Sequence, residues 1–127
     1  MLIIGNGRMI TRNPEAPFLE DGAVAMDGST IMKVGTTKEI KEAYPDAEYI
    51  DAKGGVIMPA FINAHEHIYS AFARGLSIKG YDPHGFLEIL DGMWWTIDRN
   101  LTLEETRLSA MATYIDSIKN GITSTFD

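Results

Sequence analysis

The sequence predicts an α/β chain, with a small β module over residues 1–57 followed by a strand–helices–strand unit over residues 58–127. Three observations predict it. Short apolar runs separated by Gly, Asn and Asp turn signals fill the first half. Beyond residue 70 the apolar residues recur at three- and four-residue steps instead. Between these regimes lies Met-Pro-Ala-Phe-Ile-Asn-Ala-His-Glu-His-Ile-Tyr, Met58 to Tyr69, an apolar run ending in two histidines one residue apart.

In the first half, Leu2 to Ile4 reads as a strand, Gly5-Asn6-Gly7 as a turn and Arg8 to Thr11 as the returning partner. Gly22 to Met26 and Thr30 to Val34 flank Asp27-Gly28-Ser29, a hairpin signal because Asp-Gly suits positions that need positive φ. Thr37 to Tyr44 reads as a short helix with Ile40 and Ala43 on one side, stopped by Pro45. Glu48 to Asp51 and Gly55 to Met58 are two further short strands.

In the second half, Ser70 to Gly75 allows one or two helical turns, and Gly80 to Gly85 is a loop. Phe86 to Ile97 is helical by the spacing of Phe86, Leu87, Leu90, Met93, Trp94 and Ile97, against the cost of Gly92. Thr102 to Asn120 is a helix with a capping box, Thr102 and Glu105, a stripe of Leu108, Met111, Ala112, Ile115 and Ile118, and a C-terminal Gly121. Ile122 to Phe126 closes the unit as a strand. A strand, a helical crossover and a second strand predict a parallel pair with a right-handed connection.

The stretch from Met58 to Tyr69 carries the chemistry. On a strand, alternate side chains share a face, so His65 and His67 project together with Phe61 and Asn63. On a helix they diverge, at 3.6 residues per turn. Pro59 fits a strand entry, and apolar residues on both faces read as a strand buried on two sides. Glu66 faces away from the pair and needs a partner if buried. It is not a metalloprotease base, because that motif needs histidines at i and i+4 on a helix and residue 69 is Tyr.

Composition narrows the function. The chain has 127 residues, 45% of them hydrophobic, and a formal charge of −7. That charge argues against nucleic acid as a partner, since phosphate binding needs a basic patch. No apolar run approaches a membrane span and no secretory signal opens the chain. With no cysteine, disulfides and thiolate metal sites are excluded, which fits a cytoplasmic protein. Two strands do not complete a parallel sheet covered on both faces, and a full (β/α)8 barrel takes about 250 residues. The expectation is therefore the N-terminal piece of a larger enzyme, with a missing C-terminal portion or self-association covering its open edges.

The order of a β module, Pro-Ala-Phe-Ile-Asn-Ala-His65-Glu66-His67, helices and Gly-Ile-Thr-Ser-Thr resembles the start of an amidohydrolase-superfamily enzyme. Within the superfamily it is most similar to the cytosine/guanine deaminase and chlorohydrolase branch. The stretches Ile68-Tyr69-Ser70-Ala71, Phe86 to Leu90 and Trp94 to Asp98 resemble the SsnA-type aminohydrolases. The resemblance implies part of a β-sandwich domain over 1–57 and, over 58–127, the first βαβ unit of an incomplete (β/α)8 TIM barrel. It implies a divalent metal held by His65 and His67, with zinc first and iron or manganese as alternatives. The remaining ligands and the acid/base residue would lie beyond Asp127. It implies hydrolysis of a C–N or C–Cl bond in a purine-, pyrimidine- or triazine-like small molecule, with this chain alone inactive. Arg74 and His84 are the further pocket candidates, Arg74 because Arg74-Gly75 resembles a pair following the metal strand in relatives. Trp94 and Trp95 read as packing residues, and Asp127 as a minor candidate near the metal face. The alternative is a truncated, non-catalytic structural or interaction domain.

Overall fold

The computed structural model describes residues 1–127, which divide into two compact units, Met1–Pro59 and Ala60–Asp127. The first unit contains strands β1 (Leu2–Ile10), β2 (Phe18–Asp27) and β3 (Thr30–Thr36), helix α1 (Thr37–Ala43), and strands β4 (Glu48–Asp51) and β5 (Val56–Ile57). They form one sheet in the order β3-β2-β1-β4, with β5 also on β1. β1 to β3 run antiparallel, while β4 and β5 run parallel to β1. Burial alternates along β1, so Ile3, Gly5, Gly7 and Met9 point inward. Ile3, Ala23 and Ala25 of the sheet form the core with Ile40 of α1, and Tyr44, Ala47 and Tyr49 pack around them. The expected second inward residue of α1, Ala43, is exposed.

The Asp27-Gly28-Ser29 hairpin forms, with Asp27 opposite Thr30 and Gly28 at φ +56°. The Gly5-Asn6-Gly7 turn does not. Those residues lie inside β1, where the register with β2 passes from Ile4–Val24 to Gly7–Gly22. β1 thus spends three steps against two on its partner, which is a bulge. Asn6 takes the extra position at φ 56°, a conformation Asn tolerates better than most residues. Its side-chain amide donates to Asp51 Oδ1 at 2.7 Å and its N–H to Thr37 Oγ1 at 2.8 Å. The flanking glycines are needed for space: a Cβ on Gly5 would lie 2.9 Å from that of Ala23, and one on Gly7 2.7 Å from Ile57 Cδ1.

The second unit contains β6 (Phe61–Asn63), a 3₁₀ segment (Ile68–Ala73), α2 (Phe86–Ile89), a π-helical segment (Leu90–Trp94), α3 (Trp95–Asn100), α4 (Leu103–Lys119) and β7 (Ile122–Thr125). β6 and β7 pair in parallel, Phe61 with Ile122 and Asn63 with Thr125, so the strand–crossover–strand unit is present. Phe86 to Ile97 is helical as expected, but through a π-bulge centred on Gly92. A Cβ there would stand 2.5 Å from Tyr81 Cε2, so the glycine makes room for the Tyr81 ring, whose hydroxyl donates to the Glu88 carbonyl at 2.9 Å.

Two further expectations are corrected. The strand expected across Met58 to Tyr69 is only Phe61–Asn63, and its two faces are open: Phe61 is 56% and Ile62 60% exposed. It has a single neighbour, β7, and no layer covers either face. On α4 the capping box of Thr102 and Glu105 and the positive-φ Gly121 are present, but the buried residues are Ser109, Thr113 and Ser117. These three lie at four-residue steps on one face. The apolar residues Leu108, Met111, Ile115 and Ile118 are exposed instead.

Candidate metal-binding site

β6 ends at Asn63, and the histidines follow in the connecting turn. Backbone pairing to the β7 side nevertheless continues past both strands. Phe126 N–H donates to the Asn63 carbonyl at 2.9 Å, and Glu66 N–H to the Phe126 carbonyl at 3.1 Å. Asn63 also folds the turn with its side chain: its Oδ1 accepts from His65 N–H at 3.4 Å and its Nδ2 donates to Glu66 Oε2 at 2.9 Å. Glu66 therefore has its partner, an amide from the strand rather than a cation.

The two imidazoles stand together, with ring centroids 4.8 Å apart and planes at 84°. Two imidazole nitrogens held about 2.0–2.1 Å from one ion at a tetrahedral angle place their ring centroids about 5 Å apart. The pair thus has the spacing of two ligands to one ion, and imidazole nitrogen donors suit zinc and comparable transition metals. No further His, Cys, Asp or Glu joins them in a group of three or more able to hold an ion. Catalytic zinc sites use three protein ligands, so the donors present fit a metal as part of a ligand set.

Aromatic rings border the pair. The His67 centroid is 6.2 Å from that of Tyr69 and 6.4 Å from that of Trp94. Burial foremost, and then the Asp98 carboxylate, push the Tyr69 phenol above its ordinary 10.0, so it is neutral at physiological pH. Trp94 ends the π-helical segment, and such bulges are frequent at functional sites. Its helical spacing with Leu90 and Ile97 gave no sign of this placement. The bulge shifts the helical phase, which linear spacing does not record.

The other candidates lie apart from the pair. Arg74 faces Asp116 of α4, Nη2 to Oδ2 at 3.9 Å, and both side chains are well exposed. His84 is exposed, and its backbone N–H donates to Glu88 Oε2 at 2.7 Å. A groove of about 540 Å³ lies between α4 and β7, lined by Ile68, Tyr114, Ile118, Ile122 and Asp127 among others, and neither histidine borders it. Two residues next to the pair were underrated in the sequence. Asp127 Oδ1 accepts from Ile68 N–H at 2.7 Å. Ser109 Oγ accepts from Ala71 N–H at 2.7 Å and donates to the Ile68 carbonyl at 2.9 Å. The stripe of Ser109, Thr113 and Ser117, small and polar at one helical face, was the available signal for Ser109.

Known proteins share this arrangement of sequence and fold. Residues 22–47 match a family of bacterial imidazolonepropionase-like composite domains. The chain is 31% identical over 119 residues to 5-methylthioadenosine/S-adenosylhomocysteine deaminase of Lawsonia intracellularis, covering 94% of this chain and 26% of that one. It is 30% identical over 127 residues to 5'-deoxyadenosine deaminase of Methanosarcina mazei, covering 99% and 27%. It superposes on the zinc-complexed atrazine chlorohydrolase TrzN of Arthrobacter aurescens with a TM-score of 0.78 and 27% identity, covering 98% of this chain and 28% of that one. These likenesses support a place in the amidohydrolase superfamily, and the chain aligns with the N-terminal portion of the proteins it matches. It spans about a quarter of the length of the curated relatives it matches.

Proposed function

We propose that His65 and His67 are the first two metal ligands of a metal-dependent hydrolase that cleaves a C–N or C–Cl bond of a small nitrogen-rich ring. The observation that carries the reading is the 4.8 Å separation of the two rings, which matches two ligands on one ion. Likeness to deaminases of adenosine derivatives and to an atrazine chlorohydrolase supports the reaction class. Such an ion, when bound, supplies the Lewis acidity that makes water a nucleophile near neutral pH. In this chain the turn after β6 presents the two donor nitrogens, Asn63 holds that turn, and Tyr69 and Trp94 provide apolar walls beside them. With two ligands, the chain alone binds the ion weakly and turns over no purine, pyrimidine or triazine.

The test is a zinc titration followed by the imidazole ¹H–¹⁵N correlations of the three histidines. The resonances of His65 and His67 are expected to move together to an end point of one ion per chain, with His84 unmoved. Substitution H65A or H67A is expected to lower affinity at least tenfold, in line with loss of one ligand. Equal responses from all three histidines would mark non-specific binding and reject the reading.

A further inference from the structure

We infer that Asp127 and Ser109 are positioning residues that grip the backbone beside His67 and so fix the aim of the two imidazoles. The inference rests on the ligand reading of His65 and His67. Each histidine is followed by a peptide N–H tied to the same short stretch after β7. Glu66 N–H, after His65, donates to the Phe126 carbonyl at 3.1 Å. Ile68 N–H, after His67, donates to Asp127 Oδ1 at 2.7 Å. The next group along, the Ile68 carbonyl, accepts the hydroxyl proton of Ser109 at 2.9 Å. The same hydroxyl oxygen accepts from Ala71 N–H at 2.7 Å.

Ser109 is fully buried, at 0% exposure. Its single proton and a lone pair are both engaged, so its orientation is set. α4 thereby reads the first turn of the 3₁₀ segment through one hydroxyl. A carboxylate accepting a backbone N–H forms one of the stronger hydrogen bonds, and here it lies one peptide from a proposed ligand. Two partners on successive backbone groups leave the His67–Ile68 linkage little freedom to rotate. Groups that orient metal ligands typically matter by tenfold or more in affinity.

The experiment uses the whole chain and cobalt(II), read by its d–d absorption. D127A and S109A are expected to weaken cobalt binding about tenfold and to alter the band shape. D127N keeps an oxygen acceptor in the same place and is expected to bind within about threefold of the parent. In the unaltered chain the Ile68 and Ala71 amides are expected to be protected from hydrogen exchange. A folded D127A and S109A with parental cobalt affinity would overturn the inference. So would a D127N as weak as D127A, because charge and not the hydrogen bond would then matter. If D127A or S109A does not fold, D127N and the exchange rates decide, and a freely exchanging Ile68 amide refutes the grip. H65A separates the two readings. Parental cobalt binding in H65A defeats the ligand assignment, whereas loss in H65A with none in D127A and S109A defeats the positioning role alone.

Discussion

Thr113 of α4 has a buried hydroxyl with no hydrogen-bond partner. A buried donor left unpaired carries its desolvation cost without compensation. Thr113→Val keeps the shape and removes the hydroxyl, so it is expected to stabilise the chain by about 1 kcal/mol, read by denaturant unfolding. A comparable loss of stability would show that the hydroxyl has a partner in solution. Asn6 is the opposite case, a polar residue whose N–H, carbonyl and side-chain Nδ2 are all hydrogen-bonded. Its pairing with Asp51 spans most of the first unit, and nothing in the local Gly-Asn-Gly motif distinguishes a bulge from a turn. Both conformations want the same residues, and pairing on both edges of β1 chooses between them.

At the scale of the element, α1 and α4 start alike. Hydrogen bonds from the Thr36 and Thr102 backbones, and then from their hydroxyls, hold Glu39 and Glu105 below the ordinary glutamate value of 4.5. A depressed carboxylate contributes stability that is fully present above its unfolded value and lost as pH falls through the lower folded value. Both helix starts are therefore expected to loosen together on acidification below 4.5, seen as faster amide exchange in the first turns. An E39Q, E105Q double variant should lose most of that pH dependence. The α1 box, Thr36 with Glu39, was not among the sequence expectations; the α4 box was legible because a Thr three residues before a Glu is a local pattern. The packed face of α4 was not. Ile118→Gln, at a residue 74% exposed, is expected to change stability by no more than about 0.5 kcal/mol. Ser117→Leu, on the packed face, is expected to cost about 1–3 kcal/mol. Thermal unfolding of the two variants checks the assignment, and the reverse order would restore the apolar stripe as the packed face.

At the scale of the whole molecule, the first unit holds one five-stranded sheet and the second the parallel pair of β6 and β7. The proposed ligands both lie in the second. Zinc at tenfold its dissociation constant is expected to stabilise by about 1.4 kcal/mol whatever opens the site. Hydrogen exchange should therefore slow across residues 60–127 and stay unchanged in the core of the first unit, at Ile3, Ala23 and Ala25. Equal protection of both would indicate that the units unfold as one.

The sequence by itself determined the punctuation of this protein: the Asp-Gly hairpin, the capping box of α4 and the crossover between parallel strands. Each depends on residues only a few positions apart, where backbone geometry leaves little choice. Tertiary structure decided how far β6 extends, which face of α4 is buried, that Trp94 borders His67, and that Asp127 and Ser109 hold Ile68. Those contacts join groups 59 and 41 residues apart. Such pairings are set by how the elements dock, and spacing along the chain carries no record of them.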